Sequence, residues 1–347
     1  MPRSRLIALV LVLSGLAVAA FAWHQRKLLQ ISAVVRAAVS PLPDLAMWPP
    51  EYAARVRGAT AAANRIEQPL EALSELACLY HANALYREAQ QAERGLHALE
   101  PKNAQWAYYL ADTCQNLGDM EGTRTFLEET LRLAPHYPVT RLKLADLCLK
   151  QGLTDEAIHH YEWRLTLVPN DPYAQLGLAR IAEQRGNRAE ALRLFEIIVR
   201  TSPNFPSAHS MLAELYAQGG NEARAAEERR LGSAAGRFIE ANDPFLYRLY
   251  AWNFDSYRLD AQGGSRLQVR QLEAALPFYE KAARLAPRDS LACDALGNVY
   301  LQLKRLDDAR ATLEAGLAVA PATPSQLPIS NSCSARTSPE PECSGTS

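Results

Sequence analysis

A leucine followed by alanine recurs at Leu76-Ala77, Leu110-Ala111, Leu144-Ala145, Leu178-Ala179 and Leu212-Ala213, a constant step of 34 residues. Gly118, Gly152, Gly186 and Gly220 keep the same step, and so do Pro101, Pro135, Pro169 and Pro203. A fixed period of this size constrains the fold more than any composition does, because it marks an array of helical hairpins. Within residues 138–171, Leu144, Leu147 and Cys148 share one face of a first helix, and Ile158, Tyr161 and Leu165 share one face of a second. Gly152 lets the chain reverse at low steric cost. Pro169 cannot continue the helix before it. One such hairpin cannot bury its own apolar face, whereas stacked neighbours can.

The pattern of Leu-Ala, then Tyr or Cys three residues later (Tyr80, Cys114, Cys148, Tyr216), then Ala-x-x-x-aromatic (Ala157 and Tyr161, Ala191 and Phe195) and Pro resembles the tetratricopeptide repeat (TPR). Five units fit over 70–239, and another over 290–321 carries Leu296-Gly297, Tyr300 and Ala309. The resemblance implies an all-α, right-handed superhelical solenoid. It further implies a concave groove, lined by the first helix of each unit, that binds a peptide or partner protein. Groove-facing positions carried over on that basis are Tyr108, Asp112, Gln115 and Asn116; Leu142, Asp146 and Lys150; Tyr173, Arg180 and Gln184; Glu214 and Gln218; and Asp294, Asn298 and Gln302. A mixed polar surface with a few aromatics suits hydrogen bonding to an extended chain; each residue alone reads as a solvated helix face, and only the set gives the binding reading equal weight. The lysine with which some members grip a C-terminal carboxylate is missing, since its positions hold Ser74, Tyr108, Leu142, Leu176 and Ser210.

The phase breaks once. Leu212 to Leu296 is 84 residues, sixteen more than two periods. The irregular unit is assigned to 240–289. Its first helix is expected to start at Asp243-Pro244, a capping residue followed by proline at the first helical position. Its second is expected around Leu272, Ala275, Leu276 and Tyr279, and SYRLDAQGGSRLQVR between them reads as irregular. Tyr247, Tyr250, Trp252, Phe254 and Tyr257 crowd this unit. They read either as a binding insert closing one end of the groove or as an aromatic core that repairs the broken repeat.

At the other end, basic MPRSR precedes an uncharged apolar run over 6–23. Eighteen such residues sit at the lower limit for spanning a bilayer. The run's length and the following Arg26 and Lys27 favour a transmembrane signal-anchor over 1–23. A signal peptide cleaved after Ala20-Phe21-Ala22 is the alternative. The expectation is a single-pass membrane protein with its repeats on the extracytoplasmic side. Residues 24–47 read as a linker, 48–69 as an N-terminal capping helix entered through Pro49-Pro50, and 322–347, rich in Ser, Pro and Thr, as a disordered tail.

The 37 basic and 38 acidic residues balance without a like-charged block, so nothing points to nucleic acid. Cys78, Cys114, Cys148 and Cys293 fall inside repeats and Cys333 and Cys343 in the tail, with no CxxC. His159-His160 is adjacent rather than four apart, so it lacks the helical spacing of a zinc pair. No phosphate-cradling or nucleophile-elbow motif occurs. The expectation is a non-enzymatic scaffold or adaptor with no cofactor and no metal, which binds a protein or peptide at the cell envelope. The alternative is a regulatory or substrate-presenting arm of a larger protein whose catalytic domain lies outside this chain.

Overall fold

Six repeat units and one irregular unit require fourteen helices, and a computed structural model of the chain places them. It describes residues 3–65, 68–235, 241–268, 271–287 and 289–319; for residues 3–15, 268 and 319 it describes the backbone alone. The tail 322–347 lies outside the described residues. Among the described residues there are seventeen α-helices, one 3₁₀ turn and no strand.

Five hairpins follow one another: α3 (Pro69–Ala82) with α4 (Tyr86–Leu99), α5 (Ala104–Asn116) with α6 (Met120–Leu133), α7 (Thr140–Lys150) with α8 (Thr154–Leu167), α9 (Pro172–Gln184) with α10 (Arg188–Thr201), and α11 (Pro206–Gln218) with α12 (Glu222–Ala234). Each second helix packs on the first helix of the next unit. Gly118, Gly152, Gly186 and Gly220 reverse the chain between the two helices of a unit at φ between +71° and +80°, the left-handed region that glycine enters without a Cβ penalty. Gly177, just before the repeat leucine Leu178, marks one close approach: an added Cβ there would fall 2.1 Å from Cζ of Tyr161, so only glycine lets α9 approach α8 this closely.

The two ends of this stack are built differently from the expectation. Residues 24–38, read as linker, are helical, because α1 runs unbroken over Arg3–Ala38. Ser32, Val35 and Ala38 are buried where α1 docks on α3 and α4. There Gly95 meets Ala38 so closely that an added Cβ would stand 2.3 Å from the Cβ of Ala38. α2 (Pro50–Ala63), entered through proline as expected, packs on α3. Farther out on α1, Leu16, Val18, Phe21 and Trp23 are all more than 60% exposed. Among the described residues no helix is long and apolar enough to cross a membrane; the side chains of the run's first half lie outside them.

After α12 the chain leaves the stack. α13 (Pro244–Leu249), started and capped by Asp243 as expected, has only six residues and passes into a 3₁₀ turn at Tyr250–Trp252. It is not the first helix of the irregular unit. That role falls to α14 (Ser256–Gln268), formed by the stretch read as irregular and paired with α15 (Leu272–Leu285). α16 (Ser290–Gln302) and α17 (Leu306–Val319) complete the array. The extra residues are therefore inserted before α14, and α13 uses them to return across α3 and α5.

A candidate protein-binding groove and its internal occupant

The groove begins with four positions one period apart on successive first helices: Asp112, Asp146, Arg180 and Glu214. One turn on, Asn116, Lys150, Gln184 and Gln218 form a parallel row. Asp146, Lys150, Arg180, Gln184 and Glu214 are exposed, as are Gln115, Asn116 and Asn298, the last on α16 in the separate C-terminal array. Tyr173 is half-buried against Phe205, with ring centroids 5.3 Å apart. The hydroxyl of Tyr161 donates to Asp146, whose carboxyl burial pushes upward.

Tyr108 is different. It occupies a groove position yet is 0% exposed, because α13 lies over it. Its hydroxyl donates to Asp243 Oδ2 at 2.5 Å, and that of Tyr137 donates to Asp243 Oδ1 at 2.6 Å. The amide of Phe245 donates to the Tyr137 hydroxyl at 2.7 Å, and Tyr109 donates to the Phe245 carbonyl at 2.9 Å. The Phe245 ring stacks on Tyr137 with centroids 4.2 Å apart. Burial, reinforced by the nearby Asp243 carboxylate, pushes the phenols of Tyr108 and Tyr137 far upward, so both remain protonated donors.

A second clamp holds the end of the insert. Asn83 donates to the Trp252 carbonyl at 2.8 Å and accepts from the Phe254 amide at 2.7 Å. The ring of Phe254 lies 5.5 Å from that of Tyr52, and Arg55 stands 4.6 Å over Trp252. Tyr247 and Tyr250 face Arg266, at 5.1 and 5.7 Å, whereas Tyr257 is 81% exposed. The aromatic cluster thus divides: Trp252 and Phe254 enter the N-terminal core, Tyr247 and Tyr250 join α13 to α14, and Tyr257 projects outward.

Beneath α13 lies a buried charged network that single-residue mapping missed. His81 on α3 contacts Glu93 at 2.7 Å and Asp112 at 3.1 Å, and Lys143 donates to Asp112 at 2.6 Å. Glu93 also accepts from Thr113 at 2.7 Å and is 0% exposed. Burial by itself would lower the His81 pKa, but Glu93 and Asp112 outweigh it and raise it to about 9. The signal in the sequence was Glu93, at a position where the next three units carry Leu127, Tyr161 and Phe195. α13 leaves two clefts beside it. One, of about 290 Å³, is lined by His81, Tyr86, Asp112, Leu246 and Arg258. The other, of about 410 Å³, is lined by Asp112, Gln115, Asn116, Asp146, Tyr173 and Leu246.

Between α7 and α8, Cys148, Glu156 and His160 bring potential ligand atoms within 4.8 Å of one another. The four-residue spacing is between Glu156 and His160, not within the His159-His160 pair. Arg124 binds Glu156, and Arg141 reaches His160 Nδ1 at 3.4 Å. Two guanidinium groups therefore stand where a bound cation would need negative charge.

Two repeat-family models agree with this architecture. A tetratricopeptide repeat model matches residues 142–204 and 181–231, and a second matches 266–327. The chain therefore carries tetratricopeptide repeats in both parts of the array. A solved structure of a MamA double mutant, "MamA RS-1 ArsTM", is 15% identical, with a TM-score of 0.40, over 52% of this chain and 94% of its own. MamA from Desulfovibrio magneticus RS-1 is 15% identical over 62% and 94%, with a TM-score of 0.31. The APC/C hetero-tetramer Cut9-Hcn1 is 16% identical over 78% and 49%, with a TM-score of 0.39. No curated protein matches the chain.

Proposed function

We propose that this chain is a non-enzymatic scaffold that holds a partner protein or peptide against the concave face of α7, α9 and α11. The observation that carries it is the division of the groove. Over α3 and α5 the face is covered by α13, while the rows containing Asp146, Lys150, Arg180, Gln184 and Glu214 stay exposed beside an open cleft. Spaced polar groups of both signs on a stiff helical surface suit recognition of an extended chain. A tether is part of the reading: the apolar run over 6–23 enters a bilayer and holds the repeats at the outer side of the cytoplasmic membrane. The exposed Leu16, Val18, Phe21 and Trp23, with no covering surface among the described residues, support that tether.

The test is capture from solubilised envelope by the full chain, beside a variant carrying Asp146→Ala, Lys150→Ala, Arg180→Ala and Gln184→Ala. A partner retained by the first and lost by a folded variant is the expected result, and equal capture removes the groove from the reading. Alkaline carbonate extraction and protease accessibility of the native protein test the tether and its side separately.

A further inference from the structure

The insert meets the groove as a ligand would. Asp243 offers a carboxylate, Phe245 a ring, and the Phe245 main chain one N–H and one C=O. Every one of these is held by Tyr108, Tyr109 or Tyr137. We propose that Asp243-Pro244-Phe245 is a built-in ligand, and that the tyrosine cradle is a receptor for peptides with an acidic residue two positions before an aromatic one, which compete with it. This deepens the scaffold reading and rests on it.

Four observations carry the inference. First, the segment lies outside the period: α14 to α17 keep the 34-residue phase, and the insert precedes them. No hairpin needs it to complete its pairing. Second, the cradle is specific. Asp243 is buried and accepts from two phenols and the Leu246 amide, so its charge is held by aimed neutral donors. Removing a carboxylate from water is costly unless such donors are in place. The stacked ring supplies the apolar area that a neutral cradle needs to bind an anion. Third, the occupant fills the site only in part. Leu246 lines both flanking clefts, and Pro244 and Arg248 are exposed. Fourth, the segment is separately anchored. Leu249 and Phe254 are buried in the core and Asn83 clamps the chain between Trp252 and Phe254, so Asp243 to Leu246 can leave without undoing the fold.

A tethered ligand is present at an effective concentration in the millimolar range, so the native chain resists an added peptide. The probe is a labelled peptide of residues 241–248, ANDPFLYR, titrated by fluorescence anisotropy into the full chain and into Asp243→Ala/Phe245→Ala. The double variant is expected to bind at least tenfold tighter than the native chain. Changing the peptide's Asp to Ala, or adding Tyr137→Phe to the variant, is expected to cost tenfold or more. A folded variant that does not bind, or that binds both peptides alike, overturns the proposal. So does a variant that cannot fold, if the Phe245 amide of the native chain exchanges hydrogen only as slowly as the core amides of α5. In that case the segment is core rather than ligand. Exchange at Phe245 a hundredfold faster than in α5 is the result expected of a ligand that leaves. None of the residues substituted here lies on α7 to α11, so failure of this test leaves capture by that face standing, and loss of capture leaves this test standing.

Discussion

His81 is the residue on which the groove floor turns. Its ring is enclosed by Glu93 from α4, Asp112 and Thr113 from α5, and the rings of Tyr86 and Tyr109. Because its pKa is about 9 when folded, against about 6.5 when unfolded, the folded state binds this proton more tightly. The contribution is fully present below about pH 6.5 and is lost as pH rises through about 9. Its size is of the order of 3 kcal/mol, taking about 1.4 kcal/mol per pH unit. Urea unfolding at pH 6.5 and 9.5 should show that loss in the native protein. It should show little pH dependence from this source in His81→Gln, which starts less stable because Glu93 is left buried without its cation. A second residue-scale effect lies in the turns. Ala84 and Lys304 stand at φ of 60° and 61°, at the positions the other turns give to glycine. Changing both to glycine is expected to raise stability by about 1 kcal/mol or more, since side-chain-bearing residues are strained in this region. A rise in the urea midpoint without a change in slope checks it.

At the level of elements, legibility followed phase. The hairpins from α3 to α12 were readable because leucine and a small residue recur in all five, glycine in the last four and proline in the first four. α14 was not, because Gln262 and Arg266 stand where its neighbours have Leu and Tyr or Cys. Yet one period before Leu296-Gly297 lies Gln262-Gly263, and counting back from the last unit rather than forward from the fifth would have found it. Gly263 is there for a packing reason: an added Cβ would fall 2.5 Å from the Tyr279 ring, whereas at Gly264 the nearest atom, the Tyr279 hydroxyl, is at 3.6 Å. Gly263→Ala is therefore expected to cost about 1–3 kcal/mol by overpacking. Gly264→Ala should be neutral or stabilise by up to about 1 kcal/mol through helix propensity. Thermal melting of the two variants separates them, and equal effects would remove the close approach of α14 to α15. The groove itself was legible only as positions. That Tyr108 is covered could not be read from its own unit, because the residue covering it, Asp243, lies 135 positions away.

Across the whole molecule, the insert closes the chain on itself. The C-terminal hairpins meet the N-terminal end through α15. Lys281 donates to the Ala251 carbonyl at 2.9 Å and stands 4.2 Å over the Phe254 ring, Arg284 pairs with Glu51 on α2, and Leu285 packs on the N-terminal core. Two kinds of contact compete to explain that closure, and their magnitudes decide between them. Arg284 and Glu51 are each about half exposed, and such pairs are worth about 0–1 kcal/mol. Phe254 is 2% exposed, and truncating a buried aromatic costs about 3–5 kcal/mol. The ring, not the ion pair, therefore holds the two ends together. Glu51→Ala should leave the small-angle scattering profile unchanged at low and high salt. Phe254→Ala should expand it, because α14 to α17 lose their seat beside Tyr52 while their own hairpins remain paired. If Glu51→Ala opened the molecule and Phe254→Ala did not, closure would be electrostatic, and added salt should then open the native chain as well. The same seat also ties closure to the groove. Asn83 grips the backbone on both sides of Asn253, so a ligand that displaces Asp243 and Phe245 exchanges one end of the insert while the other keeps the C-terminal hairpins in place.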